Sequence, residues 1–294
     1  MKKIYLVYFN SSNYGDAVSP LLIEELSGIP VRHKDTTLSR MQKIKTLVKD
    51  LLKFSFTATR SILAKENLLA IGSIIVWSNR NSIVWGAGFM NSTDCFKGGE
   101  VLAVRGKLTN DKLKKQGFIG TTVYGDPALL LPLWIQASSM KKYKLGIIPH
   151  WKEVDYFKEN YGDRYHIIDL RTRAVEEVTL EIASCEYVLS TSLHGIIVAQ
   201  AYNVPALWIK HGYIETDGFK FYDYFSSVDI PFYDGFEDIG DILKSERNWN
   251  ELFAQHMNKS IIKASLSSLQ LKLLKAFPYP LRKKYQHFIT KKAD

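Results

Sequence analysis

The fold is decided by residues 187–210, which read YVLSTSLHGIIVAQAYNVPALWIK. Residues 187–189 are apolar and β-prone, and a polar Ser-Thr-Ser run ends this predicted strand. An apolar helix is predicted over 196–201, and a second strand over 206–209 after a turn that contains proline. A strand, a crossover helix and a parallel strand form a βαβ unit, so the stretch predicts an α/β protein.

The ligand site of such a unit lies at the carboxyl end of its first strand, beside the N-terminus of the helix. Free backbone N–H groups and the helix dipole favour an anion at that place. Ser192 and His194 occupy it, so we predict that they contact an anionic substrate. The alternative is that the serines only cap the helix and that His194 is an ordinary polar residue.

Composition bounds the class of protein. The chain has 294 residues and is 46% hydrophobic, which suffices for one large or two ordinary domains. Cys95 and Cys185 lie far apart and have no metal or redox spacing, which favours a reducing compartment. No apolar run is long enough to span a membrane, and the run near the N-terminus is too short for a signal peptide. We therefore expect a cytoplasmic protein.

The positive charge is concentrated in two segments. Residues 263–294 carry +7 of the net charge of +9, and a second basic segment lies within a predicted amphipathic helix over 41–64. Both segments interleave lysines with aliphatic residues, as helices at anionic bilayer surfaces do, so we predict peripheral contact with the inner face of the membrane. The alternative for the tail is packing onto the N-terminal domain. The basic segments match no nucleic-acid motif, so no such partner is predicted.

Polar and small residues follow the predicted strands of the first half. A loop, Asn13-Tyr14-Gly15-Asp16, follows the strand over 4–9, and a helix is predicted to begin at Ser19-Pro20. Gly86-Ala87-Gly88 follows another strand, and Arg105 ends a third. A buried arginine needs a partner. Arg105 therefore either pairs with a nearby carboxylate such as Asp126 or binds a ligand.

The strand–helix alternation stops over 133–142 and then restarts, which indicates a linker. The two series predict two Rossmann-like domains facing across a cleft, followed by a C-terminal helical tail. The predicted bounds are 1–134, 143–255 and 256–294. In the second domain His150 ends one strand, Lys210 and His211 follow another, and Lys220 lies in an aromatic segment nearby.

Taken in order, these pieces resemble the polysaccharide pyruvyl transferase family over about residues 4–225. The matching pieces are Asn13-Tyr14-Gly15-Asp16, Gly72-Ser73, Gly86-Ala87-Gly88, Arg105-Gly106, Gly125-Asp126-Pro127, Pro149-His150 and Ser192-Leu193-His194-Gly195. The resemblance implies a GT-B-like fold and transfer of pyruvate from phosphoenolpyruvate onto a sugar, as a cyclic ketal across two hydroxyls. It also implies a precursor of a bacterial capsule or exopolysaccharide as acceptor, which fits a sugar linked to a polyprenyl diphosphate.

Phosphoenolpyruvate carries a carboxylate and a phosphate, so its site needs cations and N–H donors. Its methylene carbon must be protonated by an acid, the sugar hydroxyl needs a base, and no metal or redox cofactor is required. Some family members have an arginine where Ser192 stands, so a cation must come from elsewhere. From the resemblance and this chemistry together we assign catalysis to His194, Arg105 and Asp16, donor binding to Ser192, Leu193, Gly195, Lys210, His211 and Lys220, and acceptor binding to Asn13, Tyr14, Gly15, His150, Gly86 and Gly88.

Two other classes of function fit the same sequence. A GT-B glycosyltransferase would use a nucleotide-sugar donor on the same architecture. A non-catalytic module would bind a glycan or a nucleotide without turnover. Release of phosphate from phosphoenolpyruvate only in the presence of an acceptor separates the pyruvyl transferase from both.

Overall fold

The computed structural model describes residues 3–212 and 215–290 of the chain, which contain two parallel β-sheets. The first has the order β2-β1-β3-β4-β5, with β1 (Ile4–Val7), β2 (Val31–His33), β3 (Asn67–Leu69), β4 (Ser82–Trp85) and β5 (Glu100–Ala103). The second has the order β7-β6-β8-β9, with β6 (Tyr143–Ile148), β7 (His166–Ile167), β8 (Cys185–Ser190) and β9 (Ala206–Trp208). Because neighbouring strands run parallel, the carboxyl ends of the strands share one edge of each sheet.

Helices connect the strands and close the chain. The first half contains α1 (Tyr14–Ser27), α2 (Arg40–Leu52), α3 (Thr57–Leu63), α4 (Lys107–Lys115) and α5 (Leu131–Trp134), with 3₁₀ turns at Ile75–Trp77 and Pro127–Leu130. The second half contains α6 (Val154–Tyr161), α7 (Val175–Ala183), α8 (Leu193–Ala201), α9 (Phe219–Ser227) and α10 (Ile239–Ile242). The C-terminal region contains α11 (Glu246–Ser260), α12 (Leu266–Lys275) and α13 (Lys283–Thr290). The predicted α/β class and the helical C-terminal region are confirmed.

The βαβ unit predicted over 187–210 is β8, α8 and β9. Strand β8 lies between β6 and β9, so both of its neighbours are parallel strands of the same sheet. Helix α8 begins at Leu193 and therefore includes His194 and Gly195 in its first turn. The Ser190 hydroxyl donates to the Ile148 carbonyl at 2.7 Å and thereby ties the end of β8 to β6.

The first helix begins earlier than the sequence predicts. Asn13 is its N-cap, and the Asn13 Oδ1 accepts from the Gly15 N–H at 2.9 Å. Pro20, predicted as the first helical residue, lies inside the helix, where its missing N–H removes one intrahelical hydrogen bond. The Asn13 cap therefore outweighs the Ser19-Pro20 signal, and the predicted loop over 13–16 opens the helix instead.

The single helix predicted over 41–64 is a pair, α2 and α3, separated by a turn in which Phe54 has a φ of 48°. The Asp50 carboxylate accepts from the Thr59 N–H at 2.7 Å and from its hydroxyl at 3.0 Å, which folds α3 back toward α2. Neither helix contains a buried residue. Beyond β5, Val104 and Tyr124 form one isolated parallel bridge.

The C-terminal region packs back onto the first half of the chain. Three leucines of α12 are buried, namely Leu269, Leu273 and Leu274. The indole N–H of Trp85 donates to the Leu273 carbonyl at 2.9 Å, and Arg282 pairs with Glu25 at 3.0 Å. The leucine face of the tail is therefore covered by protein, which confirms the alternative that we gave for it. Residues 1–2 of the predicted first domain and 291–294 of the tail lie outside the described residues.

The predicted division into three parts is only loosely visible in the elements. The linker over 133–142 does connect the two sheets, but one hydrophobic cluster contains residues of both, Leu6 and Leu189 among them. The boundary at 255 falls inside α11, next to a break in its helical backbone at His256. Within residues 3–212 and 215–290, no helix combines the length and hydropathy that crossing a bilayer requires.

Candidate active site

His194 lies where the two halves of the chain meet. It is in the first turn of α8, at the carboxyl edge of the second sheet, and its imidazole packs against Gly15 of α1. The contact is so close that a Cβ at position 15 would collide with the ring, which explains the glycine there. The His194 Nε2 is buried and has no hydrogen-bond partner among the described residues. Because buried polar atoms are nearly always hydrogen-bonded, an unpaired ring nitrogen at a strand end marks a candidate ligand site.

A second histidine and a carboxyl group flank the same strand end. The Thr191 hydroxyl accepts from the His150 N–H at 2.6 Å and donates to Glu153 Oε2 at 2.5 Å. The His150 Nδ1 and the other Glu153 oxygen are buried without a partner in the described part of the chain. Glu153 was not among the residues predicted from the sequence. Its one signal was its position three residues after the strand-end His150.

Lys220 supplies the cation of this cluster. Lys220 lies in the first turn of α9 and is only 6% exposed. Within the described residues no carboxylate lies close enough to form an ion pair with its ammonium group. Burial, followed by the nearby positive charge of Arg105, lowers the Lys220 pKa to about 8. An ammonium group that is buried without a counterion favours an anion in the space beside it.

Burial sets the protonation of the neighbouring groups. It lowers the His194 pKa to about 3 and the His150 pKa to about 4, and the charge of Lys220 acts in the same direction on both. Burial raises the Glu153 pKa to about 7. Near neutral pH both histidines are therefore uncharged, and Glu153 keeps its proton in a large fraction of molecules. The empty cluster consequently has a positive charge and no carboxylate that fully offsets it.

Arg105 lies in a different environment. It is fully buried, and each of its three guanidinium nitrogens donates a hydrogen bond to the protein. Its Nε pairs with Asp223 Oδ2 at 3.0 Å, its Nη1 donates to Ser73 Oγ at 2.6 Å, and its Nη2 donates to the Phe89 carbonyl at 2.5 Å. Asp223, not the predicted Asp126, is thus its partner, and Asp223 also accepts two bonds from Thr109 at 2.7 Å. The guanidinium is thus paired inside the protein, and the catalytic role assigned to Arg105 stays a prediction.

Lys210 and His211 line a cavity of about 240 Å³ next to Thr191. The Lys210 ammonium lies 3.3 Å from Glu237 Oε1, so it already has a counterion. The His211 ring stacks on Tyr156 with the ring centroids 3.8 Å apart. Leu193 and Gly195 are buried in the first turn of α8, and Ser192 stands at the N-cap position without a side-chain capping hydrogen bond. Of the predicted donor cations, Lys220 alone is buried without a carboxylate partner among the described residues.

On the predicted acceptor side, the start of α1 is partly exposed. Asp16 accepts from the Ser11 hydroxyl at 2.9 Å, and burial raises its pKa to about 6. Tyr14 is fully buried, and its hydroxyl lies 2.6 Å from Thr179 Oγ1. Gly86 and Gly88 are also buried, against Pro127 and Arg105 respectively. Of the predicted acceptor residues at these positions, Asn13 is therefore partly exposed, as is Asp16 beside it, whereas Tyr14, Gly86 and Gly88 are buried.

Comparison with known proteins places the chain in a family. A family model described as polysaccharide pyruvyl transferase matches residues 13–213. An uncharacterized protein of Acanthamoeba polyphaga mimivirus is 32% identical over 170 residues, which are 54% of this chain and 59% of that protein. The succinoglycan biosynthesis protein ExoV of Rhizobium meliloti is 25% identical over 196 residues, 61% of this chain and 59% of that protein. The match thus spans well under two thirds of each relative. With the family model covering more than half of its length, the chain belongs to the polysaccharide pyruvyl transferase family.

Proposed function

We propose that the protein transfers pyruvate from phosphoenolpyruvate to two hydroxyls of a sugar, forming a cyclic ketal on a precursor of a bacterial surface polysaccharide. The observation that carries the proposal is the buried ammonium of Lys220, which lies beside two uncharged histidines and has no carboxylate within ion-pair distance in the described chain. Phosphoenolpyruvate brings two anionic groups that such a site needs. Membership of the family and the similarity to a succinoglycan biosynthesis protein support a polysaccharide acceptor.

Lys220 is our choice for the cation that replaces the arginine absent at Ser192. The other two candidates are less suitable, because Lys210 is paired with Glu237 and His211 is stacked on Tyr156. The N-terminus of α8 adds backbone N–H groups and the positive end of a helix dipole next to His194. Arg105 contributes at a distance, since its charge lowers the pKa values of Lys220 and His194.

The chemistry divides between a proton donor and a proton acceptor. Glu153, which holds its proton near neutral pH, protonates the methylene carbon and makes the adjacent carbon electrophilic. His194, uncharged in the empty site, accepts the proton of the first sugar hydroxyl as its oxygen bonds to that carbon. Phosphate leaves with the oxygen that joined it to the donor, and the second hydroxyl closes the ketal. Of the two hydroxyl protons, one replaces the proton that Glu153 gave to the methylene carbon, and the other leaves with the phosphate. No metal or redox cofactor takes part.

The acceptor sugar is proposed to enter from the side of α1, where Asn13 and Asp16 are partly exposed near Gly15 and His194. We propose that it is linked to a polyprenyl diphosphate and is modified at the inner face of the cytoplasmic membrane. The two parallel sheets are compatible with a GT-B-like pair of Rossmann-like domains around this cleft.

The test is mass spectrometry of a polyprenyl-linked galactose or similar acceptor after incubation with the protein and phosphoenolpyruvate. We expect the acceptor to gain one pyruvate less one water, with release of phosphate only when the acceptor is present. His194→Ala should lower the rate by about 10²–10⁴-fold, because an acid/base group contributes about that much. His287→Ala, a change on the C-terminal helix α13, is the matched control and should leave the rate unchanged.

Two outcomes would overturn the proposed reaction, and a third would change only the role of His194. Transfer from a nucleotide sugar without use of phosphoenolpyruvate would make the protein a glycosyltransferase. Ligand binding without turnover of either donor would make it a binding module. A His194→Ala variant with the wild-type rate would leave pyruvyl transfer in place but remove His194 from the mechanism.

A further inference from the structure

The helical pair α2–α3 exposes a continuous apolar surface. Five residues of α2 are at least half exposed and recur at the spacing of one helix face: Met41, Ile44, Val48, Leu51 and Leu52. The turn and α3 add Phe54, at 88% exposure, together with Phe56 and Leu63. A soluble monomer seldom leaves this many large apolar side chains in water on one element.

Basic side chains border this apolar surface. Residues 40–65 contain seven lysines and arginines and one acid, Asp50. Asp50 is occupied by its hydrogen bonds to Thr59 within the helical pair. Three of the lysines, Lys45, Lys49 and Lys53, line a shallow apolar groove together with Ile44, Val48 and Leu52. The surface therefore offers apolar groups for insertion and a row of cations beside them.

We infer that α2–α3 is a membrane-docking element that binds an anionic lipid surface. Aliphatic side chains flanked by lysines match the two layers of such a surface, since apolar groups enter the acyl boundary and cations meet the headgroups. A second copy of the chain fits less well, because two strongly basic faces would be brought together. The inference concerns attachment and does not depend on the reaction proposed above.

The position of α2–α3 suits this role. Strand β2 ends at His33 and α2 begins at Arg40, so the pair leaves the sheet at the edge where the carboxyl ends of β1 and β2 lie. The same edge carries the start of α1, with Gly15 against His194. The pair is joined to the body of the protein by bonds such as that from the Ser61 hydroxyl to the His33 carbonyl at 2.7 Å.

The inference separates α2–α3 from the other basic segment. In the tail, the leucines that would enter the bilayer are buried against the first half of the chain, with Leu273 fully buried. As far as residue 290, the tail keeps its lysines on the surface but has no apolar face as exposed as that of α2. Electrostatic attraction alone would make the two segments bind an anionic bilayer about equally. Insertion into the bilayer requires exposed apolar groups and therefore favours α2–α3.

The experiment is co-sedimentation of the full chain with vesicles of phosphatidylcholine alone and of phosphatidylcholine with phosphatidylglycerol, at low and at high salt. We expect binding to the anionic vesicles that weakens but persists in part at high salt, because insertion is not screened. The charge variant K45Q/K49Q/K53Q should bind about 100-fold more weakly at low salt. The apolar variant I44S/V48S/L52S should lose the part of the binding that survives high salt. All six side chains are exposed or partly exposed, so both variants should fold.

The matched control is K272Q/K275Q/K283Q, which removes the same charge from the tail and should weaken binding much less. Equal losses for the two charge variants, or no binding of the wild type to anionic vesicles, would overturn the inference. Concentration-dependent self-association without vesicles, abolished by the apolar variant, would also overturn it, because the face would then belong to an interface between copies. None of these results bears on pyruvyl transfer, which is measured separately on a water-soluble acceptor.

Discussion

Arg105 and Lys220 are two buried cations of the same site in opposite situations. The guanidinium of Arg105 has a carboxylate partner and two further acceptors, so its charge is satisfied by the protein. The ammonium of Lys220 is nearly as buried and has no carboxylate within ion-pair distance among the described residues. Burial of a cation therefore does not by itself reveal the role of that cation. A satisfied cation stabilises the fold, whereas an unsatisfied one favours a bound anion.

The largest expected effect comes from breaking the Arg105 pair. Asp223→Asn keeps the shape of the side chain but leaves the buried guanidinium without a counterion, and it should lower the free energy of unfolding by about 3–5 kcal/mol. Urea denaturation measures this change. Asp229→Asn is the control, because Asp229 pairs with Lys107 on the surface, where such pairs contribute about 0–1 kcal/mol. Equal effects of the two variants would show that the Arg105 pair has no special structural role.

Replacing Lys220 should raise the free energy of unfolding of the empty protein rather than lower it. Lys220→Met should raise the free energy of unfolding of the empty protein by about 1–3 kcal/mol, because no ammonium must then be buried. The same variant should lose the rise in melting temperature that phosphoenolpyruvate gives the wild type. Lys210→Met should keep that rise, since the Lys210 ammonium is already paired. A Lys220→Met protein that is still stabilised by the donor would remove Lys220 from the anion site.

The smallest expected effect concerns Glu153 and pH. Its pKa in the folded protein is about 7, above its ordinary value of 4.5, so the folded state holds this proton more tightly than the unfolded state. The resulting stabilisation is fully present below pH 4.5 and is lost as the pH rises through about 7. Glu153→Gln should remove a pH-dependent difference on the order of 1 kcal/mol over that range.

The measurement for Glu153 is the free energy of unfolding at several pH values, with Glu159→Gln as the control. Glu159 is an exposed residue of the same helix, α6, so its replacement should leave the pH profile of the wild type unchanged. A Glu153→Gln profile that is parallel to the wild type would show that Glu153 ionises normally and is no proton donor near neutral pH.

Local features of the chain were predictable from the sequence. The βαβ unit over 187–210 and the position of His194 at its strand end follow from apolar runs and turn residues that are close in sequence. Arg105 was recognised as a residue that needs a partner, but the partner was wrong. Asp223 lies 118 positions away along the chain, and no local pattern points to it. Glu153 was missed for a related reason, because its unusual pKa comes from burial rather than from sequence neighbours.

By itself, the sequence determined the α/β class, the order of the family motifs and the existence of two basic amphipathic segments. It did not determine which of these segments keeps its apolar face in water. Residues 41–64 and 261–290 have the same kind of pattern, yet Leu52 is 75% exposed and Leu273 is fully buried. An amphipathic pattern predicts that a helix has an apolar face. The surface that covers this face belongs to residues that are distant in sequence. Tertiary structure alone supplies that surface: it buries Leu273 completely, whereas it buries no residue of α2.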